Sequence, residues 1–254
     1  MQTEAVSALI QDVCARVILP RFRALEHHEV EQKRPGDLVT VADREAEVEL
    51  TQALLAATPG ALVVGEEASF GDPLAGDDLA GAEHAWVIDP VDGTRNFAAG
   101  KVDFGVMVAE VRSGETVRGW IWQPLHDVLY VAERGAGATR NGAVMPRLLA
   151  GDEPWRVAVW PRLRHARAEG LTLRPTRGSC AIDYPSLATG HLEGLAYRSL
   201  NPWDHLPGAL LVAEVGGAAL VAGRPYAPGV RGRMLAVGAS DAVASAIDAR
   251  LRDR

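Results

Sequence analysis

The sequence has few cysteines and no long apolar run, and each shortage excludes a class of protein. Its 254 residues contain two cysteines, Cys14 and Cys180, too few for a disulfide framework or a zinc site. We expect each to be a small buried residue in a reducing compartment. The most apolar stretch, residues 208–223, is interrupted by Glu214 and glycines, so it should not span a bilayer.

Basic residues are also in short supply. The chain has 26 Lys+Arg against 33 Asp+Glu, giving a net charge of −7, and only two of the bases are lysines. This sign of charge argues against a protein that coats nucleic-acid polymers. Apolar residues make up 48% of the chain, enough to exclude disorder as its dominant state. The N-terminus shows no basic segment followed by an apolar segment, which is the pattern of a secretion signal. We therefore expect a cytoplasmic protein that binds no membrane.

Hydrophobic spacing predicts helices over residues 3–29, with a break near Pro20, and over 41–57. Residues 31–37 are polar and include Pro35-Gly36, which predicts a loop. Strands are predicted at 61–64 and at 86–88, and Pro90 should end the pairing of the second. Three further strands, over 104–111, 117–123 and 128–133, are predicted to form an antiparallel meander because their connections are short.

The second half of the chain has a different pattern. Predicted strands at 156–160, 171–174, 194–197, 218–222 and 234–237 alternate with or precede helices near 181–190, 203–215 and 240–252. These elements predict an α/β fold of the α+β type. A lobe boundary near residues 150–154 would separate a lobe of residues 1–150 from one of residues 151–254.

The most informative stretch is Trp-Val-Ile-Asp-Pro-Val-Asp-Gly-Thr-Arg-Asn-Phe, residues 86–97. A strand delivers Asp89, and Asp92 follows three residues later, so two carboxylates and the Val91 carbonyl can surround one point. Hard divalent cations such as Mg²⁺ prefer such oxygen ligands. The N–H groups of Gly93 and Thr94 then offer an anion site where a short helix begins. The alternative is a simple turn, because Asp, Pro and Gly are the commonest turn residues.

Three other segments accompany this motif, and each has an ordinary explanation on its own. Glu66 follows a strand and offers a third carboxylate, although surface glutamates are usually only solvated. Asp204 lies near the start of an apolar helix, where it would cap that helix. Thr40 and Asp43 fit a capping-box pattern at the start of the helix over 41–57.

Taken together, these motifs resemble the inositol monophosphatase family, the lithium-sensitive, Mg²⁺-dependent phosphatase superfamily. The resemblance rests on Gly65-Glu66-Glu67, on residues 86–97, and on Pro202-Trp203-Asp204 ahead of Glu214-Val215-Gly216-Gly217; residues 37–40, 130–138 and 141–142 add to it. It implies a layered αβαβα sandwich and, as is common in the family, a homodimer. It also implies hydrolysis of a phosphate monoester of a small metabolite.

The resemblance further implies a role for each residue of the site. Metal ligands would be Glu66, Asp89, the Val91 carbonyl, Asp92 and Asp204, holding two or three Mg²⁺ ions. Asp89 would bridge two ions, and Glu66 would serve the ion that carries the attacking water. Thr94, hydrogen-bonded to Asp43, would help to activate that water, and the Gly93 and Thr94 N–H groups would hold the phosphate.

Substrate recognition departs from the family's pattern. The carboxylate that usually precedes the Pro-Trp-Asp motif is missing from residues 196–201, which leaves Tyr197 or Arg198 to line the pocket. Asp183 either contacts substrate hydroxyls or stabilises the start of its helix. Arg95 replaces a small polar residue, and Lys33 is displaced by one position.

These departures leave the substrate open between an inositol-like polyol or sugar phosphate, histidinol phosphate, fructose 1,6-bisphosphate and adenosine 3′,5′-bisphosphate. A different class of function, a metabolite-binding regulator without catalysis, is disfavoured because no metal ligand is missing. We expect His205 to lie on a helix surface, and Trp86 and Trp203 to be packing anchors.

Overall fold

The computed structural model describes residues 1–34, 36–72, 74–163 and 165–253. Its elements form five layers: two helices, a seven-stranded sheet, two more helices, a six-stranded sheet and one final helix. The predicted αβαβα order of layers is therefore observed. None of the helices in these described ranges is both long and apolar enough to cross a membrane.

The longer helices are α1 (Thr3–Val13), α2 (Val41–Ala57), α4 (Cys180–Ala188), α5 (Pro202–Glu214) and α6 (Asp241–Leu251), and a single short turn of helix forms α3 (Thr94–Ala98). α1 and α2 cover the outer face of the first sheet. α4 and α5 lie between the two sheets, and α6 covers the far face of the second sheet. The largest apolar cluster surrounds α4 and α5, because those helices bury side chains against both sheets.

The first large sheet follows chain order. Its strands are β3 (Leu62–Gly65), β4 (His84–Asp92), β5 (Gly105–Arg112), β6 (Glu115–Gln123), β7 (Val128–Glu133), β8 (Gly137–Arg140) and β9 (Ala143–Val144). β3 pairs parallel with β4, and every later pair is antiparallel. The predicted meander is confirmed, because its connections are too short for crossover helices.

The second large sheet has the order β11-β10-β12-β15-β13-β14. Its strands are β10 (Trp155–Val159), β11 (Leu171–Pro175), β12 (Gly194–Tyr197), β13 (Ala218–Val221), β14 (Arg224–Pro225) and β15 (Leu235–Gly238). β10 pairs parallel with β11 and with β12, so the carboxyl ends of these three strands lie at one edge of the sheet.

Three predictions about local structure were wrong. The helix predicted over residues 3–29 is α-helical only over Thr3–Val13 and is followed by a π-helical turn, Cys14–Ile18, and a 3-10 turn, Leu19–Arg21; the predicted break near Pro20 is confirmed, because the helical run ends at Arg21. β1 (Val30–Arg34) and β2 (Asp37–Thr40) pair as an antiparallel hairpin, whereas a loop was expected over residues 31–37. Pro90 lies inside β4, at an irregularity of the pairing with β5 between Asp89 and Asp92, where a missing N–H is tolerated.

Candidate metal and phosphate site

The end of β4 positions the central acidic residues. The strand is buried from Ala85 onward, and the register of its pairing with β5 shifts between Asp89 and Asp92. Asp89, Val91 and Asp92 are all buried there. The local sequence produces this geometry because apolar residues drive the strand into the core while Pro90 interrupts its ladder.

Asp204 completes a cluster with these two aspartates. It lies in the first turn of α5, and ligand oxygens of Asp89, Asp92 and Asp204 lie within 4.8 Å of one another. Oδ1 of Asp89 is buried and has no hydrogen-bond partner in the described residues. An unsatisfied buried carboxylate oxygen in an all-oxygen cluster fits a hard divalent cation.

Mutual repulsion and burial shift the acid–base behaviour of this cluster. Burial and the nearby Asp204 raise the pKa of Glu66 to about 8, and burial and Asp92 raise the pKa of Asp204 to about 7. Burial and the charge of Glu66 raise the pKa of Asp89 well above its ordinary value. Like charges held together out of water favour protonation unless a cation compensates them.

Glu66 follows β3 and is held beside a lysine. Lys33 of the hairpin places its Nζ 3.1 Å from Oε1 of Glu66 and 2.8 Å from Oε1 of Glu67. Glu47 of α2, which the sequence did not single out, accepts hydrogen bonds of 2.8 Å from the N–H groups of Glu67 and Ala68. Its carboxylate therefore holds the turn that presents Glu66.

Asp92 is oriented by the start of α4, a contact that the sequence reasoning missed. Its Oδ2 accepts hydrogen bonds from the Ser179 hydroxyl and, across 2.7 Å, from the Ala181 N–H. Burial raises the pKa of Asp92, whereas these donors act in the opposite direction. The partners are 87 and 89 residues away along the chain, so no local pattern could reveal them.

Thr94 and Asp43 lie beside the acidic cluster. The Thr94 hydroxyl is 2.9 Å from Oδ1 of Asp43 and 3.0 Å from the Val91 carbonyl oxygen. Oδ2 of Asp43 accepts hydrogen bonds from the N–H and the hydroxyl of Thr40, and the Thr40 side chain accepts from the Asp43 N–H, so the predicted capping box is present. Burial raises the pKa of Asp43 to about 6.

Gly93 precedes α3 with a φ of +89°, in the left-handed region. A side chain there would place its Cβ 3.0 Å from the Asp103 carbonyl oxygen and 3.0 Å from Cβ of Ser179. The position therefore requires glycine on both conformational and steric grounds. The neighbouring Arg95 is exposed and donates to the Gly36 carbonyl, which links α3 to the hairpin.

The candidate substrate residues lie at different places. Asp183 is buried in α4, where its Oδ1 accepts from the Arg177 N–H at 3.1 Å and its Oδ2 from the Tyr197 hydroxyl at 2.9 Å. Arg198 follows β12, is half-buried, and is not among the residues that line the cavity at Glu66 and Asp204.

His205 does not lie on a helix surface, so that prediction was wrong. The side chain is fully buried, with Nε2 2.7 Å from the Ser199 carbonyl oxygen and Nδ1 3.0 Å from the Tyr184 hydroxyl. This pairing places the proton on Nε2, which donates to the carbonyl, and leaves Nδ1 to accept from the tyrosine. Burial lowers the pKa of His205 to about 4, so the ring is neutral at physiological pH. Trp86 and Trp203 are both buried.

A cavity of about 880 Å³ opens above Glu66 and Asp204. The lining comes from the hairpin, from residues 69–72 and 75–77, from residues 199–204, and from Trp160, Tyr226 and residues 229–232. Its volume is within the range of cavities that hold small organic ligands. The arrangement thus combines an acidic cluster suited to cations with enough space for an organic molecule beside it.

Comparisons with known proteins identify the family of this chain. The sequence matches the model of the inositol monophosphatase family over residues 2–250, and the chain belongs to that family. It is 35% identical over 213 residues to the inositol-1-monophosphatase of Rhizobium meliloti (strain 1021), a match that covers 77% of this chain and 76% of that protein. It is also 32% identical over 199 residues to the Nus factor SuhB of Vibrio cholerae, with 73% and 72% covered.

The fold is likewise that of known structures. The Thermotoga maritima IMPase superposes with a TM-score of 0.81, covering 98% of this chain and 97% of that one at 21% sequence identity. The predicted family and fold class are confirmed by these matches.

Proposed function

We propose that this protein is a Mg²⁺-dependent phosphatase that hydrolyses a phosphate monoester of a small metabolite. The observation that carries the proposal is the convergence of Asp89, Asp92 and Asp204 oxygens within 4.8 Å, with one Asp89 oxygen left unpartnered. Glu66, the Val91 carbonyl and these three aspartates would hold two or three ions. When bound, Mg²⁺ would neutralise phosphate oxygens and make water a stronger nucleophile.

The residues around the cluster have separate tasks in this proposal. The Thr94 hydroxyl hydrogen is shared between Asp43 and the Val91 carbonyl, which leaves the Thr94 oxygen free to accept a hydrogen bond from the attacking water. Asp43 can then take up the proton that water loses. The N–H groups of Gly93 and Thr94 would hold the phosphate in line with that water.

Several finer expectations remain part of the proposal. They are the homodimer, the cytoplasmic location, the division at residue 150, inhibition by lithium, and the absence of nucleic-acid polymers among the partners. Asp183 and Arg198 remain candidates for substrate contact. The name of the Vibrio relative, a Nus factor, is consistent with the alternative of a regulator without catalysis. The acidic cluster of this chain favours catalysis instead.

The test is phosphate release from a panel of esters in the presence of Mg²⁺ and in the presence of EDTA. The panel would contain myo-inositol 1-phosphate, histidinol phosphate, fructose 1,6-bisphosphate and adenosine 3′,5′-bisphosphate. We expect Mg²⁺-dependent turnover of at least one ester, and its loss in Glu66→Gln and Asp92→Asn. Turnover that both variants keep at the wild-type rate would refute the assignment of the site.

A further inference from the structure

His205 is a buried polar side chain to which the proposed function gives no task. It directly follows Asp204 in α5, and both of its ring nitrogens have partners. Nδ1 lies 3.0 Å from the Tyr184 hydroxyl, and Nε2 lies 2.7 Å from the Ser199 carbonyl oxygen. Such hydrogen bonds add little net stability, since each replaces a bond to water. Their main consequence is geometric, because they fix the segments that they join relative to each other.

The contact between His205 and Tyr184 has a rigid support. α4 and α5 pack so closely that a Cβ at Gly208 of α5 would lie 2.2 Å from the Tyr184 ring. The ring therefore rests on the backbone of α5, and its hydroxyl donates to His205 from a fixed place. This hydroxyl holds the imidazole in the orientation that directs Nε2 to Ser199.

The contact between His205 and Ser199 holds a short connection. Residues 198–201 join β12 to α5, and Ser199, Leu200 and Asn201 all line the cavity. Ser199 is exposed, and in the part of the chain that the structure describes its only hydrogen bond is the one from His205. Exposed connections with few hydrogen bonds are the more mobile parts of a fold. His205 therefore ties the middle of this connection to α5.

Asn201 carries this constraint to the acidic cluster. Its Nδ2 donates to Oδ2 of Asp204 across 3.2 Å, in the cluster that Asp204 forms with Asp89 and Asp92. A hydrogen bond to a carboxylate restricts its rotation and is stronger than one between neutral groups. Asn201 is exposed, so water competes for Asp204 whenever the connection moves. The orientation of the Asp204 carboxylate thus depends on where residues 199–201 are held.

We propose that His205 is a positioning residue for the metal site and for the cavity beside it. It holds the Ser199 carbonyl and thereby keeps Asn201 in contact with Asp204. The Asp204 carboxylate then faces the other two aspartates of the cluster, and residues 199–201 stay in place as part of the cavity wall. The inference rests on the proposed function for the identity of the ion and of the ester. His205 itself is buried and does not line the cavity.

Calorimetric titration with Mg²⁺ alone tests the inference without turnover. His205→Leu keeps a similar volume but has no N–H, and it should weaken Mg²⁺ binding roughly threefold to tenfold, the range for one net hydrogen bond. The amide of His205→Gln offers a donor and an acceptor spaced much like the two ring nitrogens. It should keep Mg²⁺ affinity within about twofold of the wild type. Equal weakening in both variants would show that the hydrogen bond to Ser199 is not the cause.

Asn201→Ala tests the other end of the same chain of contacts. Asn201 is exposed, so this variant should fold even where His205→Leu does not. We expect it to weaken Mg²⁺ binding roughly threefold to tenfold. The double variant with His205→Leu should bind Mg²⁺ no more weakly than either single variant, because both changes remove one coupled effect. Unchanged affinity in Asn201→Ala, or additive losses in the double variant, would overturn the inference.

The matched control is Val212→Ala, which truncates a fully buried side chain further along α5. It should lower the melting temperature, because it opens a cavity in the core, and leave Mg²⁺ affinity unchanged. A His205→Leu variant that behaves in the same way would show that His205 only packs the core.

Steady-state kinetics with an ester that the wild type hydrolyses add a second readout. At saturating Mg²⁺ the kcat of His205→Leu should be within about twofold of the wild-type value, whereas KM for the ester should stay raised because residues 199–201 line the cavity. A large loss of kcat with unchanged KM would contradict a positioning role.

The two kinds of measurement also separate this inference from the proposed function. If no ester is hydrolysed while the Mg²⁺ affinities follow the expected order, the phosphatase assignment fails and the positioning role stands. If esters are hydrolysed and all variants bind Mg²⁺ alike, the positioning role fails and the phosphatase assignment stands.

Discussion

The Thr94 hydroxyl and Oδ1 of Asp43, 2.9 Å apart, join the first turn of α3 to the first turn of α2. Through its other oxygen Asp43 also accepts hydrogen bonds from the N–H and the hydroxyl of Thr40, the residue before α2. One carboxylate therefore holds a helix start and orients a hydroxyl beside the acidic cluster.

Replacing Thr94 by alanine should damage catalysis more than metal binding. Without the hydroxyl, the attacking water loses its acceptor and its route to Asp43, so we expect kcat to fall about 10²-fold or more. Thr94→Ser keeps the hydroxyl and should retain most of the activity. The measurements are kcat and Mg²⁺ affinity for both variants, with Thr189→Ala as a control at an exposed helix end. A Thr94→Ala enzyme with wild-type kcat would contradict this role.

Asp89→Asn should separate the intrinsic stability of the fold from its stabilisation by metal. In metal-free protein, burial beside Glu66, Asp92 and Asp204 makes the Asp89 carboxylate unfavourable unless it takes up a proton, so a neutral asparagine removes this cost and should raise the melting temperature. The same change removes an oxygen ligand, so Mg²⁺ should no longer raise the melting temperature as it does in the wild type. Thermal unfolding with EDTA and across a Mg²⁺ series measures both effects. An unchanged Mg²⁺-dependent shift in the variant would count against Asp89 as a ligand.

We expect the positive charge of Lys33 to weaken the binding of Mg²⁺ and to strengthen the binding of phosphate. Its ammonium group lies within 3.1 Å of both Glu66 and Glu67, so a cation at Glu66 must compete with it. Lys33→Met keeps the side-chain length, and we expect Mg²⁺ to bind roughly fivefold tighter, corresponding to about 1 kcal/mol. Inorganic phosphate should inhibit this variant less strongly. The other lysine of the chain, Lys101, is exposed, and Lys101→Met is the control. Weaker Mg²⁺ binding in Lys33→Met would show that Lys33 positions Glu66 and does not compete with the ion.

The site residues that could be predicted from the sequence are those whose local structure is set by their sequence neighbours. Asp89 and Asp92 follow an apolar strand, Asp43 completes a capping box, and the meander has connections too short for helices. Each of these features depends on neighbouring residues, so a local pattern could predict it. The family resemblance then brought Glu66 and Asp204 to the same site, and the geometry places Asp204 with the two aspartates.

Other features depend on contacts that a local pattern does not contain. Strand β1 was missed because four of its five residues are polar and none of the five is buried, so it carries no alternating apolar signal. The surface position predicted for His205 was wrong because α5 lies between two sheets, which cover nearly all its faces. In such a helix a polar residue is not a sign of an exposed side. The hydrogen bond from Ser179 to Asp92 joins segments 87 residues apart.

Asp183 provides a prediction of pH-dependent stability. Burial raises the pKa of this carboxyl from 3.8 to about 7, although it accepts hydrogen bonds from Arg177 and Tyr197. Between these two values the folded protein holds a proton that the unfolded chain has lost, so the stability that Asp183 contributes falls as pH rises toward 7. Asp183→Asn removes this dependence, and its unfolding free energy relative to the wild type should rise by up to about 4 kcal/mol from pH 4 to pH 7.5. Urea unfolding in EDTA measures this difference, with the exposed Asp152→Asn as the control. Parallel stability curves for Asp183→Asn and the wild type would show that Asp183 is already ionised in the folded protein, and that its two hydrogen-bond donors outweigh its burial.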